Sequence, residues 1–218
     1  MERDGWRFVG PALGVTALGV WGVGRGWIWA WPVLCLGVLV AVGCGFFFRD
    51  PDRTPPGDPE AVVATADGRI LSVVPHPEGG IRIDTFLSVW DVHVNRAPVG
   101  GIVAGSLYRP GRFLAAYKPR AGSDNERHDL TINSTIGTIQ SAQIAGILAR
   151  RVVCRVHEGQ QLRQGDRIGL IRFGSRAAVI VPRGFIAAVS PGDRVRAGET
   201  IIARRVRDDG GRPGDAEA

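Results

Sequence analysis

The residues best suited to chemistry lie near the C-terminal end, in Gly169-Leu170-Ile171-Arg172-Phe173-Gly174-Ser175-Arg176. An apolar strand runs into Gly174-Ser175, and a second apolar strand, Ala177 to Val181, runs out of it. A serine hydroxyl held there is a candidate nucleophile once a base takes its proton. By residue type alone, Gly174-Ser175 reads equally well as a hairpin turn or bulge. An ordinary serine hydrolase would set its nucleophile in a Gly-x-Ser-x-Gly elbow, and Ser175 has no such setting. A metal site is not expected: His76, His93, His128 and His157 are far apart, and no CxxC or HExxH spacing occurs.

Three cysteines without paired spacing exclude a disulfide scaffold; Cys35 and Cys44 fall in an apolar N-terminal region, and Cys154 reads as a small strand residue. The formal net charge of +6 suits either nucleic acid or an anionic membrane surface. The arginines are scattered and form no basic stripe interleaved with aromatics, so no nucleic-acid partner is expected.

Two apolar runs, Phe8 to Gly24 and Trp27 to Phe48, are separated only by Arg25 and its flanking glycines. At about 1.5 Å rise per residue the second run reaches across a hydrocarbon core of roughly 30 Å, and the first only marginally. Arg3 and Arg7 precede the pair while Arg49 and Arg53 follow it, which predicts a transmembrane hairpin with both ends cytoplasmic and Trp27, Trp29 and Trp31 at the far interface. A secretory signal would be shorter and would end in a cleavage site. The expected division is therefore an anchor over 1–48, a Pro-rich charged linker over 49–60, a β-rich domain over 61–207 and a disordered tail over 208–218.

Within the domain, short β-branched runs bounded by Gly, Pro or Asp follow one another, predicting a mostly antiparallel β fold. Brief helices are expected around Ser88 to His93 and Ile144 to Ala149. A repeat with a period of 33 residues relates Val156–Ile168 to Val189–Ile201. Its glycine and apolar spacing resembles the hairpins of the biotinyl/lipoyl carrier fold, a flattened β-sandwich or barrel. The single lysine, Lys118, lies far from the repeat, so carrier function does not follow from the likeness.

Four segments together resemble the phosphatidylserine decarboxylase family, in its short bacterial and archaeal type. They are Phe46-Phe47-Phe48-Arg49-Asp50-Pro51, Ala64-Thr65-Ala66-Asp67-Gly68-Arg69-Ile70, Phe86 to Pro98 with His93 inside it, and Ile171-Arg172-Phe173-Gly174-Ser175. The resemblance implies a self-processing, pyruvoyl-dependent decarboxylase. Its chain would cut itself between Gly174 and Ser175, leaving Ser175 as a covalent pyruvoyl cofactor. Phosphatidylserine would then become phosphatidylethanolamine and CO2 through a Schiff base. The two fragments would stay associated as a heterodimer, open to further oligomerisation, at the cytoplasmic face of a cell inner membrane.

The resemblance also implies an Asp-His-Ser arrangement of Asp67, a histidine of the His93 region and Ser175. Apart from it, Asp67-Gly68 is a hairpin signal and His93 a structural histidine. Longer family members carry two histidines three residues apart, with the second assigned to self-cleavage. Here His93 matches the first and Arg96 stands at the second, leaving His93 or another group to activate Ser175. The polar segment Tyr117 to His128 also resembles the family; Lys118, Arg120 and Arg127 suit either a lipid phosphate or a solvated loop. The alternative function is a non-catalytic, membrane-tethered binding module of carrier-like fold.

Overall fold

A computed structural model describes residues 1–118, 120–147, 151–171 and 175–206. After a short 3-10 turn, two antiparallel helices, α1 (Trp6–Gly24) and α2 (Ala30–Phe47), form a hairpin. The helices pack closely because small residues face each other: a Cβ on Gly19 would lie 2.6 Å from the Leu34 backbone, and one on Gly37 would lie 2.6 Å from Thr16 Oγ1. Their outer faces carry Leu18, Leu36, Leu39 and Val42 uncovered. Among the described residues, Ala30–Phe47 is the one helix long and apolar enough to cross a membrane by length and composition.

Among the described residues, the rest of the chain is mostly β, in fourteen strands. An eight-stranded antiparallel sheet curls into a half-barrel in the order β13 (Arg194–Val195), β2 (Gly68–Pro75), β3 (Ile81–Leu87), β11 (Ser175–Val181), β7 (Gly137–Ile144), β6 (Arg127–Ser134), β5 (Gly101–Arg109), β9 (Gln161–Leu162). Two three-stranded sheets complete the domain. One orders β1 (Ala61–Val63), β14 (Ile201–Arg205) and β12 (Phe185–Ala187); the other orders β4 (Val94–Arg96), β10 (Arg167–Ile171) and β8 (Val152–Cys154). Ile70, Ile83, Leu130, Ile132, Ile139 and Val179 fill the concave side of the half-barrel.

The two halves repeat each other. Shifting by 33 residues carries β1 onto β4 (61 to 94), β8 onto β12 (152 to 185) and β9 onto β13 (161 to 194). Ladder contacts repeat as well: Val63 N donates to Pro98 O, and Arg96 N donates to Thr65 O. The repeat visible in the sequence is thus the part that caps the two edges of the large sheet. One half occupies 94–171 without interruption. The other is assembled from 61–87 and 175–205, on either side of it.

Neither brief helix expected from the sequence forms among the described residues. Asp91 Oδ2 accepts from both Ser88 N and Ser88 Oγ, closing a turn in place of a helix. Ile144 stays in the sheet, paired to Arg127 and Arg176. The helical turn that does form, α3 (Ala121–Asp124), lies in the segment read as loop. Of the expected tail, nothing beyond residue 206 is described.

Candidate active site

Ser175 is the first residue of β11, paired with Leu87 at the end of β3. Its side chain is fully buried and its Oγ has no hydrogen-bond partner. Because side chains alternate along a strand, Ser175 shares the concave face with Ala177, Val179 and Val181. Ala66, Leu87 and Ala177 form an apolar cluster beside it. Gly174, the other half of the expected scissile bond, lies outside the described residues.

His93 precedes β4. Its carbonyl receives the Ile171 N–H at 3.3 Å, so it stands beside the last described residue before the Gly174-Ser175 step. The imidazole is 1% exposed and packs on the Phe47 ring, with centroids 4.2 Å apart. Nδ1 lies 2.9 Å from the Asp91 carbonyl oxygen. That oxygen can only accept, so Nδ1 carries the proton and Nε2 presents a lone pair. Nε2 is buried and has no partner. Burial pushes the His93 pKa down to about 4, against smaller opposing effects of the Asp91 carbonyl and carboxylate. At neutral pH the ring is therefore an uncharged acceptor, the state a general base requires.

Asp67 sits in the turn between β1 and β2 and does not bond to His93. Its Oδ1 accepts from Ala197 N at 2.7 Å and its Oδ2 from Arg53 at 2.8 Å, while Arg53 also pairs with Glu199. Burial raises the Asp67 pKa, opposed by the Ala197 N–H and the Arg53 charge. Asp67 shares a cleft of about 640 Å³ with Arg49, Arg53, Val92 and Arg196. Gly45, near the end of α2, lines the same cleft, which therefore opens at the foot of the helical hairpin.

Arg96, at the position of a second family histidine, points away from this site. It donates to Gly165 O, Pro51 O and Asp50, fastening the linker to the domain. Positions 93 and 95 share one side of the extended chain, and 94 and 96 the other, so a group at 96 is not beside His93. Of the polar segment Tyr117 to His128, Tyr117, Gly122, Ser123 and Arg127 lie on the convex face instead. There Arg82 and Arg176 both clamp Asp84, at 3.0 and 2.7 Å, under Gly122 of α3. Burial would raise the Asp84 pKa, but the bonds from Arg176 and Arg82 outweigh it and hold it low.

Sequence reasoning missed a chain of buried polar side chains on the concave face. Asn95 donates to Thr65 O, and Gln143 donates to Asn95 Oδ1 at 2.8 Å. Thr65 Oγ1 donates to Arg96 O and lies 3.3 Å from Ser141 Oγ. Gln143 Oε1 has no partner. The signal available was two polar residues, Ser141 and Gln143, alternating on one face of an otherwise core-facing strand. Among the described residues no cluster of three or more His, Cys, Asp or Glu side chains is placed to hold a metal.

A family model described as phosphatidylserine decarboxylase matches residues 42–203. A phosphatidylserine decarboxylase proenzyme of Beijerinckia indica is 44% identical over 217 residues, covering 95% of this chain and 90% of that protein. The proenzyme of the same name from Paramagnetospirillum magneticum is 42% identical over 227 residues, covering 99% and 91%. That from Granulibacter bethesdensis is 46% identical over 181 residues, covering 78% and 74%.

Proposed function

This chain belongs to the phosphatidylserine decarboxylase family, and on that premise we propose that it is a self-processing enzyme that converts phosphatidylserine to phosphatidylethanolamine and CO2 at Ser175. The observation that carries this reading is the pair of buried, unpartnered atoms, Ser175 Oγ and His93 Nε2, flanking residues 172–174. A buried polar atom without a partner costs about 1–3 kcal/mol, and such atoms gather where chemistry uses them.

In the processing reaction, His93 Nε2 takes the Ser175 hydroxyl proton and Oγ attacks the Gly174 carbonyl carbon. The peptide bond breaks as the ester forms, and its nitrogen becomes the amine of residue 175. Loss of the residue 175 Cα proton breaks the Cβ–O bond and frees the first fragment as a carboxylate. Water then displaces the remaining nitrogen as ammonia, leaving a carbonyl on the second fragment.

The residues present fit such a group. Ala66, Leu87 and Ala177 wall it, and His93 Nε2 and Gln143 Oε1, both unpartnered, are acceptors suited to an arriving amine. A pyruvoyl group there supplies a carbonyl that condenses with a primary amine and draws off electrons as CO2 departs. On this reading His93 Nε2 takes the proton that the substrate's ammonium sheds and returns it to the substrate carbon once CO2 has left. Asp67 acts through Arg53 and the Ala197 backbone, shaping the cleft beside Val92.

The hairpin of α1 and α2 spans the inner membrane with its tryptophan-rich turn at the far interface, and the β domain lies on the cytoplasmic face. Phe47 links the two by packing its ring, tilted, against His93, so the site lies where α2 ends. The arginine-lined cleft at the same level suits the phosphodiester of a lipid head group. The matched hairpins of the two halves are read as a variant of the biotinyl/lipoyl carrier arrangement. After cleavage the fragments remain a heterodimer, because β11 lies between β3 and β7 of the first fragment, with β13 on β2 and β14 on β1.

Electrophoresis of the purified full chain, with CO2 release from phosphatidylserine vesicles, tests this reading. Two fragments and activity are expected, and Ser175→Ala should give one inactive band. Normal fragments from that variant would place the processing elsewhere.

A further inference from the structure

Gln143 is fully buried, and the orientation of its amide is fixed from outside. The Thr65 carbonyl oxygen can only accept, so Asn95 turns its Nδ2 toward it and presents Oδ1 to Gln143. Gln143 must meet that oxygen with Nε2, leaving Oε1 as a bare acceptor. Register places this acceptor near the reacting residue. Gln143 pairs with Ala177, and Ser175 lies two residues along the same face of β11. Such diagonal neighbours have Cβ atoms roughly 7–8 Å apart, within reach of a glutamine. From the other side, Asn95 and His93 share one side of the chain through β4, so the bond to Asn95 also holds Gln143 close to the imidazole.

Donors and acceptors here do not balance. His93 Nε2 and Gln143 Oε1 both need a donor, and the Ser175 hydroxyl has one proton to offer. Processing removes that hydroxyl, leaving two acceptors and no donor from residue 175. A primary amine brings the missing N–H groups, and a carboxylate or phosphate oxygen does not.

We propose that Gln143 is a specificity-determining residue: its Oε1 accepts an N–H of the substrate's amino group as that nitrogen approaches the carbonyl of residue 175. This rests on the reading of Ser175 as the reacting residue. It predicts that Gln143 selects for a primary amine and contributes little to self-cleavage, which needs no amine.

The full chain carrying Gln143→Met, which keeps length and removes the acceptor, provides the test, with Gln143→Asn withdrawing the acceptor by one methylene. The mass of the fragment that begins at residue 175 is read first in each; lack of a carbonyl terminus in the unsubstituted protein would sink the Ser175 reading itself. Processed protein is then treated with ethylamine and cyanoborohydride, which captures bound amine, or with borohydride alone, which reduces the carbonyl and needs no N–H acceptor. The expected result for Gln143→Met is normal fragments, unchanged borohydride reduction, amine capture slowed at least about tenfold, and a KM for phosphatidylserine raised more than kcat is lowered. Gln143→Asn should slow capture to an intermediate degree. Amine capture at the unsubstituted rate in either variant, or equal slowing of both reductions, would overturn the proposal. Should Gln143→Met fail to fold, the Gln143→Asn capture rate decides alone.

Discussion

The two halves of the β domain share a strand plan and differ at one junction. In the continuous half, β6 and β7 meet at the rung Ser134–Gly137 and are closed by the two residues Thr135 and Ile136. In the interrupted half the equivalent rung is Leu87–Ser175, and the chain leaves it open: everything from 88 to 174 is inserted there. Ser175, His93 and the Phe47 contact gather at this open junction. The closed end borders a larger cleft, about 750 Å³, lined by Val99, Gly100, Asn133, Ser134 and Thr135, but it brings no buried histidine or unpartnered serine with it. Cavity size therefore does not locate the chemistry. On the proposed reading the chemistry lies instead at a chain passage that a tight turn would have removed, where a break would leave both flanking ladders of β11 intact.

Substitutions at the two junctions should differ widely in effect. The largest effect is expected at Ser175→Ala, which should abolish cleavage on gels and lower decarboxylation by at least about a thousandfold. His93→Gln keeps bulk and removes the Nε2 base, so the half-time of self-cleavage followed on gels should lengthen about 10²–10⁴-fold. If His93→Gln cleaved normally, the open junction would owe its reactivity to something other than the imidazole.

The strands flanking the open junction also carry the Arg82–Asp84–Arg176 cluster, whereas the equivalent positions of Asp84 and Arg176 in the closed half are Thr131 and Thr138. Asp84→Ala strands the buried guanidinium of Arg176 and the partly exposed one of Arg82, and should cost about 3 kcal/mol. Thr131→Ala should cost under about 1 kcal/mol, both measured by chemical denaturation.

A pH profile gives the next effect. The unfolded chain binds the His93 proton near 6.5 and the folded chain only near 4. Stability from this group is therefore complete above about 6.5 and is lost as pH falls toward 4, a span of about 3 kcal/mol. Initial cleavage rates should hold through pH 6 and fall with a midpoint near 4; a midpoint near 6.5 would mean that the imidazole is not buried as described. The smallest effect is expected at Thr135→Ala in the closed turn, where activity and cleavage should stay within twofold.

Much of this was legible in the sequence, for physical reasons that differ by region. Gly137 to Ile144 reads as a strand because β-branched residues alternate between turn formers, and the ladder has those bounds. The 33-residue repeat was visible only where glycine turns preserve it, at 156–168 and 189–201. Its extension to β1 and β4 was hidden because Ala61-Val62-Val63 and Val94-Asn95-Arg96 share spacing and not composition. Ser175 and His93 could be named from the motifs, but their missing partners could not, since hydrogen-bond vacancy is a property of the folded neighbourhood. Gln143 shows the limit most clearly: a glutamine in a strand is unremarkable until Asn95 and Thr65 fix which end of its amide is left bare.

The decisive measurement is the intact mass of the fragment beginning at residue 175. Cleavage at the open junction with conversion of Ser175 predicts a fragment lighter than the serine-terminated peptide by the elements of ammonia, with a terminus that resists stepwise amino-terminal degradation. A serine-terminated fragment, or an intact chain that still releases CO2 from phosphatidylserine, would contradict it.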